Sequence, residues 1–209
     1  MTKNKYCTFY IVRHGQTDWN VENLIQGHSD RELNELGRDQ AEQLAKQFKN
    51  IKFDLIFSSD LWRAKQTAEI IALNHKLVVN STKLMRERSF GKLEGKHRNE
   101  FGLILETITK MSETETYKYR PYKDYETDEE VISRIVTFFR EVAISSPGKT
   151  ILVATHGGLM RTLLRHVGFV NYKELPFDAI ENTAFIKLRS DGVNFVIDET
   201  KGIKKVKNI

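Results

Sequence analysis

The sequence predicts an α/β fold with three layers, α/β/α, and a mostly parallel central sheet. Three short apolar runs are too continuous for strands with one exposed face, so we expect them to be buried on both sides. Segments with apolar residues at helical spacing lie between and after these runs. Strands that alternate with helices in this way are typical of a parallel sheet covered by helices on both faces.

Each of the three predicted strands ends in a polar segment. The first strand extends from Tyr6 to Val12, the second from Phe53 to Phe57 and the third from Thr150 to Ala154. The polar segments that follow them are Arg13-His14-Gly15, Ser58-Ser59-Asp60 and Thr155-His156-Gly157. The chain's one cysteine, Cys7, lies inside the first run, so we expect it to be a small buried apolar side chain.

Two helices are predicted in the first half of the chain. Asn34 is expected to be the N-cap of the first helix. The face that this helix buries is predicted to carry Ala41, Leu44, Ala45 and Phe48. The second helix is expected to begin after a cap at Ser59 or Asp60 and to end near Leu73.

The second half of the chain is predicted to hold two more helices and a hairpin. One helix extends from Glu129 to Val142, before the third strand, and another follows Gly158 and ends near Val167. The hairpin joins Ala184–Leu188 to Asn194–Ile197.

The length of 209 residues is expected for one domain, residues 1–209. No strong core pattern is visible from Phe101 to Tyr125. We therefore interpret residues 97–126, approximately, as a short insertion that covers the sheet and its predicted site.

Composition excludes several classes of protein. A hydrophobic fraction of 40% with 29% charged residues excludes disordered and fibrous chains. The apolar runs are far shorter than the roughly 18 residues of a membrane span, and Met1–Lys5 lacks the apolar core of a signal peptide. We expect a cytoplasmic protein without a membrane partner. The net charge of +5 owes much to lysines in the tail Lys201–Ile209, so it does not indicate a nucleic-acid partner.

Two histidines and two arginines are expected to converge at the carboxyl ends of the strands, where open α/β sheets bind ligands. They are Arg13, His14, Arg63 and His156. Arginine matches phosphate oxygens with planar, forked donors, and a neutral histidine can attack phosphorus. This combination predicts phosphoryl transfer. A metal site of His14, His156 and a carboxylate such as Glu87 is the alternative, but the two arginines would repel a cation, so we expect no metal and no other cofactor.

The motifs around these residues resemble the signature of the histidine phosphatase superfamily, also called the phosphoglycerate mutase-like family. The matching segments follow the family's order along most of the chain. They are Ile11–Asn20 (IVRHGQTDWN), Gln26-Gly27, Leu36–Arg38, Phe57–Thr67 (FSSDLWRAKQT), Arg86–Gly95 (RERSFGKLEG), Glu129–Ile135, Thr155–Arg161 (THGGLMR) and Asn182-Thr183. The resemblance implies a phosphoglycerate mutase-like α/β/α fold.

The resemblance also implies a role for each matching residue. His14 would be the phosphorylated nucleophile, and Arg13, Arg63 and His156 would bind the transferring phosphoryl group. Glu87 would donate a proton to the leaving oxygen; from the residues alone it reads as a solvated charge between two arginines.

Three further positions match those that line the phosphate and substrate site of the family. They are Asn20, Gln26 and the backbone N–H of Gly157. The implied substrate is a small phosphorylated metabolite.

Three functions remain open on this resemblance. The first is a phosphatase that hydrolyses phosphomonoesters through a phosphohistidine on His14. The second is a cofactor-dependent phosphoglycerate mutase, but mutases of the family have a larger insertion with paired arginines, and here Arg120 stands alone. The third is a catalytically silent relative, which the intact site residues argue against. We predict a phosphatase.

Overall fold

The computed structural model describes residues 6–171, 174–176 and 178–205. The strands, in chain order, are β1 (Cys7–Arg13), β2 (Leu55–Ser59), β3 (Val79–Thr82), β4 (Thr150–Thr155), β5 (Ile180–Ser190) and β6 (Phe195–Ile203). They form one six-stranded sheet in the order β3-β2-β4-β1-β5-β6.

The helices, in chain order, are α1 (Asp18–Val21), α2 (Glu35–Phe48), α3 (Trp62–Leu73), α4 (Gly102–Thr109), α5 (Glu113–Lys118), α6 (Asp128–Ser145) and α7 (Gly157–His166). Short 3₁₀ helices occupy Lys83–Met85, Gly91–Leu93 and Arg98–Phe101. Among the residues described, none of the helices is both long and apolar enough to cross a membrane.

The sheet is mostly parallel, as predicted. Strands β3, β2, β4 and β1 pair in parallel, with Val153 of β4 opposite Ile11 on one side and Phe57 on the other. Strand β5 is antiparallel to both β1 and β6, which confirms the C-terminal hairpin. Because the four parallel strands point the same way, their carboxyl ends meet at one edge of the sheet.

Alternating side chains of β1 supply the cores on the two faces of the sheet. Phe9 is buried on the face covered by α6 and α7 and contacts Phe139 edge to face, with ring centroids 4.8 Å apart. Tyr10 lies on the opposite face, covered by α2 and α3, and its ring centroid is 5.4 Å from that of Phe48. The expectation for Cys7 is confirmed, since its side chain is fully buried. These two cores establish the three α/β/α layers.

Segment 101–125 differs from its prediction because it contains buried apolar residues. They form a third cluster with residues distant in sequence: Ile25, Phe90, Leu93, Phe101, Ile104 and Tyr125. Helices α4 and α5 are too short to show a clear helical period, and the partners of Phe101 and Ile104 come from other loops. The burial of these apolar residues could therefore not be predicted from their spacing in the sequence.

The predicted cap of α3 is wrong. The N-cap is Leu61, which makes no side-chain capping bond. The Asp60 carboxylate instead accepts two bonds of 2.7 Å from the guanidinium of Arg86, so it is not available to the helix. The hydroxyl of Ser59 accepts a bond from the N–H of Leu61 one residue before the helix begins.

Strand β2 lies two residues later than predicted, and β3 was not predicted. Ser58 and Ser59 continue β2 because they pair with Ser81 and Thr82 of β3. Strand β3 is a short edge strand with half-exposed or exposed side chains, so it lacks the continuous apolar run that marks the other strands.

Candidate active site

A cavity of about 420 Å³ lies at the carboxyl edge of the parallel strands. The predicted site residues on its walls are Arg13, His14, Asn20, Gln26, Arg63, Glu87 and Gly157. The remaining predicted residue, His156, is fully buried beside the cavity, with its ring centroid 5.3 Å from that of His14. The structure therefore brings together all eight residues that the sequence singled out.

His14 is held in one tautomer by its own loop. Its Nδ1 lies 2.6 Å from the carbonyl oxygen of Gly15, and because a carbonyl can only accept, Nδ1 must carry the proton. Its backbone N–H donates to the Thr155 carbonyl at 2.9 Å, and its carbonyl accepts from the Asn182 amide at 3.0 Å. The lone pair is thus on Nε2 of a side chain that is only 3% exposed.

Arg63 is one of the largest fully buried side chains of the protein. It lies in the first turn of α3, directly after β2. Its Nη2 donates to the Gly27 carbonyl at 2.8 Å and its Nη1 to the Ser29 carbonyl at 3.0 Å. Its Nε has no hydrogen-bond partner in the described part of the chain, so a donor remains for an anion.

Arg13 completes the cationic wall from the end of β1. Its guanidinium donates through Nη1 to the carbonyl oxygen of Ile180 in β5. Its Nε, like that of Arg63, has no hydrogen-bond partner among the residues described. Two guanidinium groups with unused donors are a suitable lining for phosphate oxygens.

His156 is the N-cap of α7 and has no contact to the solvent. Neither of its ring nitrogens has a hydrogen-bond partner within the described ranges. One of them must carry a proton in the neutral ring, so His156 can donate one bond to a group held against His14.

The electrostatics of the cavity keep both histidines neutral. Burial lowers the pKa of His14 well below 6.5, and the guanidinium groups of Arg63 and Arg13 lower it further. Burial and the charge of Arg63 lower the pKa of His156 in the same direction. Burial also lowers the pKa of Arg13 and of Arg63 to about 10, which leaves both charged at neutral pH.

These shifts predict a loss of stability in mild acid. Below pH 6.5 the unfolded chain binds protons on His14 and His156 that the folded chain does not, so the free energy of unfolding falls as pH falls. Each histidine contributes a slope of up to about 1.4 kcal/mol per pH unit. Urea unfolding between pH 7 and pH 5 should show this slope, and His156→Gln should remove one histidine's share of it. An unchanged slope in the variant would contradict the assignment.

Glu87 is buried, so its interpretation as a solvated charge is wrong. Its Oε1 accepts from the N–H groups of Arg88 and Leu159, both at 2.9 Å, and its Oε2 accepts from the N–H of Gly158 at 2.9 Å. Oε2 therefore keeps one lone pair that no donor of the described residues uses. A Cβ on Gly158 would lie 2.6 Å from Oε1, so only glycine permits this approach to the start of α7.

The three residues predicted to line the phosphate and substrate site lie at different positions around the cavity. Asn20 lines it, but its Oδ1 also accepts from the N–H and hydroxyl of Thr17 and from the Asn182 amide, so it stabilises the loop after β1. Gln26 is 8% exposed, and its Oε1 has no hydrogen-bond partner in the described residues. Gly157 is the first residue of α7, where helical N–H groups have no partner within the helix.

Sequence reasoning missed several residues that line the cavity. They are Arg98, Arg161, Asp178 and Glu181. Arg161 lies four residues after Gly157 on α7, and this helical spacing was a signal that both share one face. Arg98 lies on a 3₁₀ helix and had no such signal, because a lone arginine in a polar segment is usually solvated.

The metal alternative is not supported by the arrangement of ligands. Within the described residues, no group of three His, Cys, Asp or Glu side chains is placed to hold a metal ion. The carboxylate of Glu87 is instead bonded to three backbone N–H groups.

Comparisons with known proteins identify the family of this chain. The sequence model described as the histidine phosphatase superfamily (branch 1) matches residues 9–201. Phosphoglycerate mutase-like protein 4 of Arabidopsis thaliana is 36% identical over 170 residues, which cover 76% of this chain and 70% of the relative. Putative phosphoserine phosphatase 2 of Hydrogenobacter thermophilus is 33% identical over 190 residues, which cover 88% of this chain and 89% of the relative.

A solved structure is similar over nearly the whole chain. The native mycobacterial glucosyl-3-phosphoglycerate phosphatase superposes with a TM-score of 0.77 at 25% identity, covering 95% of this chain and 100% of the other. Because the family model spans both the β1 loop that carries His14 and the α7 segment that carries His156, the chain belongs to the histidine phosphatase superfamily.

Proposed function

We propose that the protein is a phosphatase that hydrolyses small phosphomonoesters through a phosphohistidine on His14. One observation carries the proposal. The bond from Nδ1 of His14 to the Gly15 carbonyl directs the free lone pair of Nε2 to the side of the ring away from that loop, in the cavity that Arg13 and Arg63 line. Relatives named as phosphatases support the same reaction.

In the first step Nε2 of His14 attacks phosphorus, and the bond from phosphorus to the ester oxygen breaks. Arg13 and Arg63 neutralise the phosphoryl oxygens, and His156 and the N–H of Gly157 add donors. The leaving oxygen takes the proton that Oε2 of Glu87 holds, and the alcohol departs.

In the second step a water molecule attacks phosphorus from the side that the alcohol has left. Glu87, now ionised, takes a proton from this water. The bond between phosphorus and Nε2 breaks and its electron pair returns to His14. Inorganic phosphate is released, and the enzyme is restored with Glu87 protonated.

The cavity wall beyond the phosphate donors carries both charges, with the arginines Arg98 and Arg161 and the carboxylates Asp178 and Glu181. Arg98 and Arg161 add two cations to the cavity that the phosphoryl step does not use. The substrates in the relatives' names, phosphoserine and glucosyl-3-phosphoglycerate, both carry a carboxylate besides the phosphate. We therefore place a carboxylate of the substrate against these arginines.

Arg98→Ala should raise KM more for phosphomonoesters that carry a carboxylate than for those that do not. Loss of one charged hydrogen bond should raise KM for carboxylate-bearing phosphomonoesters about 10-fold or more. An alkyl phosphate without a carboxylate should show a change of less than about threefold. Equal changes in KM for both substrates would show that Arg98 does not bind the carboxylate of the substrate.

The arginine that the sequence analysis set against the mutase alternative lies away from the cavity. Arg120, one of the two arginines in residues 97–126, donates to the Tyr125 carbonyl at 2.7 Å and to the Glu130 carboxylate at 2.6 Å. It does not line the cavity. Mutase-like names among the relatives keep transfer between two oxygens as the second candidate.

The direct test is steady-state release of inorganic phosphate from p-nitrophenyl phosphate. We expect turnover by the wild-type protein, followed by a ranking of phosphorylated metabolites by kcat/KM. A protein that binds phosphate without releasing it from any ester would be a silent relative, and net isomerisation of a phosphoglycerate faster than hydrolysis would identify a mutase.

Arg63→Ala is expected to lower kcat/KM by about 10² to 10³, the scale of one lost transition-state donor. Arg63→Lys should restore only part of this loss, because an ammonium lacks the planar fork that contacts two carbonyls and the phosphoryl group together. A lysine variant with wild-type kcat/KM would mean that only the charge at this position matters.

A further inference from the structure

We infer that Glu94 is a positioning residue for Arg63 and acts through the single peptide unit that joins Gly27 to His28. The inference rests on the proposed function, since Arg63 affects the reaction by holding the phosphoryl group. It concerns a carboxylate that the reaction steps do not use.

The peptide between Gly27 and His28 lies between two opposite charges. Its carbonyl oxygen, that of Gly27, accepts from Nη2 of Arg63 at 2.8 Å. Its N–H, that of His28, donates to Oε1 of Glu94 at 3.0 Å. The peptide is trans, so its C=O and N–H point in opposite directions, and each charge polarises the bond on the other side.

The same carboxylate also fixes the second carbonyl that Arg63 uses. Oε2 of Glu94 accepts from the backbone N–H of Ser29 at 2.9 Å and from its hydroxyl at 3.1 Å. The carbonyl of Ser29 then accepts from Nη1 of Arg63 at 3.0 Å. The first carbonyl that orients the guanidinium therefore shares a peptide with an N–H bonded to Glu94, and the second belongs to a residue bonded to Glu94.

The buried positive charge of Arg63 is stabilised by a counter-ion that it does not contact directly. Its side chain is 1% exposed, and in the described part of the chain it forms hydrogen bonds to carbonyl oxygens and no ion pair with a carboxylate. A buried cation without compensation is costly. Glu87, Asp30 and Glu94 all place negative charge near Arg63, and Glu94 does so one peptide away, which leaves the rest of the guanidinium for phosphate.

The peptide that connects Glu94 to Arg63 requires a glycine at position 27. Its φ of +53° is in the left-handed region, and a Cβ at this position would lie 2.2 Å from Oε1 of Glu94. Any side chain at residue 27 would therefore displace the peptide that connects Glu94 to Arg63, without removing either charge.

The test is a double-mutant cycle with two readouts, kcat/KM and the Kd of inorganic phosphate measured by calorimetry. Glu94→Gln should lower kcat/KM about 10- to 100-fold and weaken phosphate binding in the wild-type background. In the Arg63→Ala background the same substitution should change either quantity by less than about threefold. Glu100→Gln, which alters an exposed carboxylate of the next 3₁₀ helix, is the matched control and should behave like wild type.

Equal fold-losses in the two backgrounds, or no loss in the wild-type background, would overturn the inference. If Glu94→Gln does not fold, Gly27→Ala replaces it in the cycle and must meet the same criterion. Phosphate binding keeps this test separate from the proposed function: a protein without turnover whose phosphate affinity depends on Glu94 only through Arg63 would refute the phosphatase and retain the positioning role.

Discussion

His14→Ala is expected to reduce kcat by about 10⁴-fold or more, because it removes the atom to which the phosphoryl group transfers. Among the described residues, His14 is the histidine that lines the cavity, and His156 is fully buried beside it. The measurement is steady-state phosphate release from a sugar phosphate, with sensitivity sufficient to detect the residual rate.

The variant should still fold. The backbone bonds of residue 14 to Thr155 and Asn182 do not involve the imidazole, so they are retained in alanine. A cooperative thermal transition and unchanged secondary structure by circular dichroism are the controls. Substantial turnover by a folded His14→Ala protein would contradict covalent catalysis at this residue.

Glu87→Gln is expected to lower kcat more for substrates with a poor leaving group than for substrates with a good one. General acid assistance contributes roughly 10² to 10⁴ for a poor leaving group and little for a good one. The variant should therefore lose kcat strongly on sugar phosphates, whose alkoxides need a proton. On p-nitrophenyl phosphate it should lose at least about tenfold less.

The ratio of the losses in kcat on the two substrates is independent of any general disturbance that the substitution causes in the site. The side-chain amide that replaces the Glu87 carboxylate would place an NH₂ group among the N–H donors of Arg88, Gly158 and Leu159, and this disturbance acts on both substrates alike. Equal losses on the two substrates would show that Glu87 orients the site and that another group protonates the leaving oxygen.

The elements that position the site were predictable because they are buried on both sides. Strands β1 and β4 carry continuous apolar runs, and the polar residues that follow them had to lie at one edge once the strands were parallel. The motif resemblance added Glu87, which no periodicity marks. Helix α2 was equally visible, with its cap at Asn34 bonded to the N–H of Gly37.

The rest depended on contacts between distant segments. Strand β3 is defined by its pairing with β2, and the third apolar cluster by contacts of Phe101 and Ile104 with other loops. The cap of α3 was misassigned because Asp60 is taken up by Arg86, twenty-six positions later in the chain. Arg98 gains its place in the cavity wall only from tertiary structure.

The most direct measurement is the site of covalent phosphorylation during turnover. Wild-type protein is mixed with a phosphorylated substrate, quenched in alkali to preserve a phosphoramidate, and mapped by peptide mass spectrometry and phosphorus NMR. We expect one phosphoryl group on His14, attached to Nε2 because Nδ1 is bonded to the Gly15 carbonyl, and no label in His14→Ala. A wild-type protein that turns over without any label on His14, or with the label on another residue, would contradict the mechanism.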